Sequence, residues 1–216
     1  MPSSAELIDV DADGDGGTVA WMDGTTMKVS TQTSGQKVIA SMNCEKMFYN
    51  KSKLISIDFT NLNTAKVTNM RYMFYNCNRL ISLDLSPLDT SKVTNMYSMF
   101  GNCSKLIELN LSNFNTNQVT DMSWIFSECK SITSLNLSSF DTKNVTKMSY
   151  MFNYCEKITS INVSKSINTK NVVTMNSMFE SCKSLKKIDF LNLLDTSNVK
   201  YMNSMFSGCI NLISIV

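Results

Sequence analysis

Histidine is absent from this 216-residue sequence. Its absence removes Ser-His and Cys-His nucleophile pairs and every His-ligated zinc site. Proline occurs twice and glycine seven times, which excludes collagen-like and Pro/Gly-rich disordered chains. No run of one charge sign exists: 20 basic and 18 acidic residues are scattered along the chain, for a net charge of +2. Without a basic stripe, nucleic acid is not an expected partner. No apolar stretch is long enough to cross a bilayer, so direct membrane insertion is not expected. The opening residues Met1-Pro2-Ser3-Ser4-Ala5-Glu6 lack the basic start and apolar segment of a signal peptide. The seven cysteines contain no C-x-x-C pair, so neither a cysteine-rich metal site nor any cofactor is expected.

What the chain does contain is periodic. The aromatic of a Met-Phe dipeptide, Ile-Phe in one unit, recurs at Phe48, Phe74, Phe100, Phe126, Phe152, Phe179 and Phe206, at spacings of 26 or 27 residues. Upstream of it runs L-x-x-L-x-L, as in Leu80/Leu83/Leu85, Leu106/Leu109/Leu111 and Ile132/Leu135/Leu137. The alternation of Leu83 and Leu85 with Ser82 and Asp84 is that of a half-buried strand. The pattern and period are those of leucine-rich repeats. Downstream, Val93, Met96, Met99, Phe100 and Cys103 recur at a spacing that predicts a helix of about three turns. Thr90 and its equivalents Thr64, Thr116, Thr142, Thr169 and Thr196 are placed to cap it. The extra residue of the longer units falls around Ser164-Lys165-Ser166 and Leu191-Asn192-Leu193.

The expected fold is therefore α/β: a leucine-rich-repeat-like right-handed solenoid with one short parallel strand and one short helix per unit. Its strands centre near Ile57, Leu83, Leu109, Leu135, Ile161, Ile188 and Ile215 in a single sheet. Residues 42–216 form about seven units, the last incomplete. Residues 1–41 form an N-terminal β cap, read as a meander whose strands flank Asp23-Gly24 and end with Lys37-Val38-Ile39-Ala40. The chain stops inside a strand at Asn211-Leu212-Ile213-Ser214-Ile215-Val216, as a fragment of a longer array would, and an uncapped apolar edge there predicts tail-to-tail self-association of this polypeptide.

Several features carry candidate chemistry. Cys77, Cys103, Cys129, Cys155, Cys182 and Cys209 form a ladder on the apolar side of the expected helix, with Cys44 out of register. Buried free thiols are expected, because neighbouring helices would hold the Cα atoms beyond disulfide reach. Asp9, Asp11, Asp13, Gly14 and Asp15 resemble the start of a calcium loop, but its twelfth position is Ala20 rather than Glu, so no metal is expected. Asn-Leu-Ser at Asn110 and Asn136 matches a glycosylation triplet that the repeat itself generates.

Two surfaces are candidates for binding. Asp58, Asp84, Asn110, Asn136, Asn162 and Asp189 form a polar stripe on the concave side. Solenoids use that side for partners, although such groups also bond along the ladder or simply face water. A row of one residue type does not make two differently tuned acids, so no glycosidase pair and no catalytic residue is expected. Tyr72, Trp124, Tyr150 and Tyr154 form a second surface: on a helical wheel Trp124 points about 160° from the apolar face. Aromatics gathered on one outer side mark an interface.

The stretch Leu135-Asn136-Leu137-Ser138-Ser139-Phe140-Asp141-Thr142-Lys143-Asn144-Val145-Thr146-Lys147-Met148-Ser149-Tyr150-Met151-Phe152 resembles the repeat of BspA-like bacterial surface proteins and of mycoplasma surface lipoproteins of unknown function. The resemblance covers residues 42–216 and implies a cell-surface or secreted, often adhesive protein. It implies no catalytic residue. Together these readings give a non-catalytic binding scaffold or adhesin with a protein or glycan partner, or alternatively a structural spacer that projects another domain.

Overall fold

The computed structural model describes residues 8–9, 18–23, 26–31 and 37–214, with side chains described at 26–28 and 37–214. Among the described residues there are ten strands: β1 (Ile8–Asp9), β2 (Thr18–Asp23), β3 (Thr26–Thr31), β4 (Val38–Ile39), β5 (Ser56–Asp58), β6 (Leu62–Asn63), β7 (Ser82–Asp84), β8 (Glu108–Asn110), β9 (Ser134–Leu137) and β10 (Ser160–Val163). A 3₁₀ turn, η1, covers Leu191–Leu193. The chain winds as a β-solenoid. Repeat strands pair only in parallel, β7 with β8 and β9 with β10, each with its equivalent residue 26 positions on.

The expected single sheet is instead broken into short patches. Across the gap between β5 and β7 the Ile81 N–H donates to the carbonyl of Ile55 at 3.3 Å. At the seventh expected strand the described residues show one parallel bridge, Lys187 to Ser214, and Ile215 lies outside them. A second ladder is longer. It runs through Asn43, Asn69, Asn95, Asp121, Lys147, Thr174 and Tyr201, a position with no strand signature in the sequence.

The N-terminal hairpin forms as its sequence dictates. β2 pairs antiparallel with β3, and β1 antiparallel with β2. Asp23 pairs with Thr26, while Gly24 and Thr25 lie outside the described residues. β3 then joins the first repeat strand, Met27 beside Ile57, in parallel. The last expected meander strand behaves differently: Val38–Ile39 pairs in parallel with Leu62–Asn63 and so belongs to the repeat ladder.

The expected helix does not form; Thr90 to Cys103 and its equivalents are stacked turns. Amides there alternate between two partners. Those of Tyr72, Phe74 and Asn76 donate across to Tyr97, Met99 and Gly101 of the next rung at 2.8–3.0 Å. Those of Met73, Tyr75 and Cys77 donate back three residues to Met70, Tyr72 and Phe74 at 3.1–3.2 Å. An α-helix would need every amide directed back four residues. Each rung also contains two left-handed residues four apart, for example Tyr72 (φ 56°) with Asn76 (φ 60°) and Trp124 (φ 62°) with Glu128 (φ 59°). Side-chain burial at every third or fourth residue is common to a helix and to consecutive turns, so the hydrophobic spacing alone did not separate them. The Asn, Ser, Thr and Gly of this segment favour turns over helix interiors, a compositional signal that the spacing argument left out.

The threonines therefore cap nothing. Thr90, Thr116 and Thr142 are buried, and each hydroxyl donates to one carbonyl of the next rung while accepting that residue's amide. The core between the two ladders is a column of like residues. Phe48, Phe74, Phe100, Phe126, Phe152, Phe179 and Phe206 stack with centroids 5.3–5.8 Å apart. Met70, Met96, Met122 and Met175 lie fully buried beside them. The extra residues of the longer units fall in loops, at a Ser164–Ser166 hydroxyl contact of 2.8 Å and at the 3₁₀ turn of Leu191–Leu193.

Candidate functional site: an outer aromatic row

The left-handed turns determine which side chains leave the core. The residue two before each ladder phenylalanine is Lys46, Tyr72, Ser98, Trp124, Tyr150, Ser177 or Ser204, every one at positive φ. The residue just after it is Tyr49, Tyr75, Gly101, Ser127, Asn153, Glu180 or Ser207. In-register stacking turns these positions into rows. Tyr49 stacks on Tyr75 at 5.3 Å and Trp124 on Tyr150 at 4.0 Å, both nearly parallel. Tyr72 sits edge-on to Tyr75 and to Tyr97, at 5.4 and 5.3 Å.

Tyr72, Trp124 and Tyr150 thus gather on one side, as the sequence indicated, although turns rather than a helical wheel put them there. Tyr154 lies further out, 39% exposed, at the second left-handed position of its rung. Tyr49, Tyr75 and Tyr97 complete the cluster and were missed; aligning the chain by row rather than by helix face exposes them. A groove of about 360 Å³ opens among Tyr72, Tyr75, Tyr97, Ser98 and Trp124, with Tyr49 and Lys46 at its side. Burial, a hydrogen bond to Tyr72 and the charges of Tyr72 and Asp121 push the Tyr97 phenol up to about 12, against the lowering effect of Arg71. The Arg71 guanidinium lies 4.8 Å from the Tyr72 ring centre and 5.1 Å from that of Tyr97, and it faces Glu45 at 3.7 Å. The Lys46 ammonium lies 5.8 and 6.0 Å from Tyr49 and Tyr72.

The polar stripe expected on the concave side is engaged in turns and ladders. The side-chain oxygens of Asp58, Asp84, Asn110 and Asn136 accept the amide two residues on, at 2.9–3.1 Å. Asn110 and Asn162 also donate down the ladder to Asp84 and Asn136, and Asp189 pairs with Lys187 at 3.0 Å. The Thr60 hydroxyl and amide hold the Asp58 carboxyl below its usual range, and the Ser86 amide and hydroxyl do the same for Asp84.

The cysteines are free thiols, buried except for the half-buried Cys209. The physical reason differs from helix separation, since rungs in a parallel ladder lie about 4.8 Å apart, within disulfide reach. Each of the six ladder thiols is turned instead toward a backbone carbonyl of the preceding rung, Cys103 to Phe74 at 3.1 Å and Cys129 to Phe100 at 3.2 Å, while Cys44 donates to Ser41 at 3.3 Å. Burial pushes the thiols of Cys77 and Cys129 up to about 12. Among the described residues no cluster of three His, Cys, Asp or Glu side chains is placed to hold a metal. Of the acidic calcium-loop motif only Asp9 is described; Asp11, Asp13, Gly14 and Asp15 lie outside the described residues. Among the described residues no helix is long and apolar enough to cross a membrane.

Two solved bacterial proteins resemble the fold. One is a leucine rich cell surface protein from Faecalibacterium prausnitzii A2-165, at 18% identity and a TM-score of 0.56 over 97% of this chain and 55% of that one. The other is a leucine-rich repeat protein from Bacteroides ovatus ATCC 8483, at 19% identity and a TM-score of 0.42 over 98% of this chain and 52% of that one. The chain thus spans about half the length of both. The first likeness establishes the fold class; the second is too distant to add to it. No curated protein matches. One family profile, described as "Mycoplasma protein of unknown function, DUF285", matches twice, over residues 40–165 and 132–214. Because those overlapping matches span nearly the whole repeat ladder, the chain belongs to the DUF285 family of BspA-like, leucine-rich-repeat-type proteins.

Proposed function

We propose that the chain is a non-catalytic, surface-exposed binding scaffold that recognises a host or cell-surface macromolecule. The observation that carries this reading is the outer aromatic row. Tyr72, Trp124 and Tyr150 occupy left-handed backbone, where a β-branched or bulky residue costs more than Asn or Gly. Ser98, Ser177 and Ser204 hold the same position in other rungs, so the fold itself does not need large rings there. Half-buried Tyr and Trp rings on an outer face, with Lys46 and Arg71 over the tyrosines, are the composition of a binding surface. The cell-surface description of the Faecalibacterium protein supports a surface location. A spacer would have no use for a patch confined to rungs one to five.

The test is capture of host extracellular proteins and glycans on the immobilised chain, beside a variant carrying Tyr72→Ser, Trp124→Ser and Tyr150→Ser together. The reading expects specific capture by the natural chain and its loss in the variant. Equal capture by both places binding elsewhere. No capture by either favours the spacer.

A further inference from the structure

Stacking creates a charge pattern that the linear sequence hides. Residues 51–54, 77–80 and 103–106 form equivalent turns in three consecutive rungs. Each is closed by its leucine amide: Leu54 donates to Lys51, Leu80 to Cys77 and Leu106 to Cys103, at 3.0–3.1 Å. Those leucines are buried. Just before each of them stands an exposed cation, Lys53, Arg79 or Lys105. Just after each stands an isoleucine, Ile55, Ile81 or Ile107. The Ile81 amide donates to Ile55 at 3.3 Å and the Ile107 amide to Ile81 at 2.8 Å, which keeps the three rungs in register here. Ile81 is 48% exposed and Ile107 50%. One ridge of the solenoid thus carries a row of cations beside a row of isoleucines.

Stacking itself requires neither row, because the following rung holds Ser131 and Thr133 at the same positions. Like charges set one rung apart, about 4.8 Å at the backbone, cost stability. The ion pairs of the described residues use other cations: Arg71, Lys130, Lys143, Lys147, Lys183 and Lys187. Lys53, Arg79 and Lys105 take part in none of them. Of the neighbouring acids, Asp58 and Asp84 are engaged by the Thr60 and Ser86 amides. Glu108, next to Ile107, is the acid closest in sequence to the two rows.

Protein interfaces are depleted in lysine, and two of these three cations are lysines. Basic and aliphatic side chains set together suit the boundary of an anionic bilayer. There phosphates meet the cations, branched aliphatic groups sink toward the acyl chains, and long Lys and Arg stems span the two layers. Cations without a fixed partner also suit headgroups that move. We propose that the ridge of Lys53, Arg79 and Lys105 with Ile55, Ile81 and Ile107 docks peripherally on a bilayer rich in anionic phospholipid. It shares no residue with the aromatic row and does not depend on what that row binds.

The test is co-sedimentation of the intact chain with vesicles of phosphatidylglycerol and phosphatidylcholine in equal parts, beside vesicles of phosphatidylcholine alone. Calorimetric titration with a poly-glutamate peptide supplies a soluble anion. The ridge predicts binding to the anionic vesicles only, weakened by salt. Each cation near such a surface is worth about fivefold in affinity, so Lys53→Ser, Arg79→Ser and Lys105→Ser together should cost about a hundredfold. Ile81→Thr with Ile107→Thr, the residue already present at 133, should weaken binding to the vesicles while the melting temperature holds. No binding to anionic vesicles, or binding unchanged in the folded triple-Ser chain, overturns the proposal. Vesicle binding untouched by the two Ile→Thr changes also overturns it, since the isoleucines then meet no bilayer. Poly-glutamate bound as tightly as the vesicles overturns it in favour of an acidic protein partner.

Discussion

The hydroxyl of Thr90 donates to the carbonyl of Asn115 at 3.0 Å and accepts the amide of the same residue at 2.8 Å. One buried side chain thus satisfies both backbone groups of a residue in the next rung. Thr90→Val keeps the shape and leaves that amide and carbonyl unpaired, which costs about 1–3 kcal/mol for a buried group. Thr90→Ser keeps most of it. Urea denaturation of the two variants checks this, and equal midpoints for Val and Ser would show that the hydroxyl is dispensable.

Phe126 is fully buried, with Phe100 at 5.6 Å on one side and Phe152 at 5.8 Å on the other. Phe126→Ala should cost about 3–5 kcal/mol. In a nearly one-dimensional array the loss spreads to adjacent rungs. Hydrogen exchange should therefore quicken at Phe100 and Phe152 more than at Phe48.

The thiols should resist alkylation in the native protein, since the thiolate is the reactive form and burial holds the Cys77 and Cys129 thiols up to about 12. Cys209 is half-buried, and the hydrogen bond from Cys182 lowers its pKa. Mass spectrometry after brief labelling should find Cys209 modified first and Cys103, Cys129 and Cys155 last.

Acid should loosen the strand ends. The hydroxyl and amide of Thr60 lower Asp58, and the amide and hydroxyl of Ser86 lower Asp84, as those of Ser91 lower Asp89. A carboxyl lowered by folding contributes stability that is present above its unfolded value of about 3.9 and lost as pH falls through the folded one. These groups are largely solvated, so each contribution is small. Melting temperatures should stay level from pH 7 to about pH 5 and fall below about pH 4; Asp84→Asn together with Asp89→Asn should flatten that fall.

The repeat, its length, the strand positions near Leu83 and Leu135 and the burial of the Phe, Met and Cys columns were legible in the sequence because each rests on spacing along one chain. The helix was not. Val93, Met96, Met99, Phe100 and Cys103 point inward from turns as they would from a helix, and the deciding fact is where the amides of Ser98 and Phe100 go, to Ser123 and Ile125 of the next rung. The same fact moved Thr90 from cap to inter-rung tie. The aromatic patch was half legible: Tyr72, Trp124 and Tyr150 align by period, whereas Tyr49 and Tyr75 join them only once the rungs are stacked.

Everything assigned to the outer face depends on left-handed turns at Tyr72, Trp124 and Tyr150. Backbone chemical shifts and the three-bond amide–Hα couplings of these residues test that most directly. The turn-built solenoid predicts isolated left-handed values at Tyr72, Trp124 and Tyr150, four residues before a second such value at Asn76, Glu128 and Tyr154. Unbroken helical values from Met96 to Cys103, and from Met122 to Cys129, would contradict it.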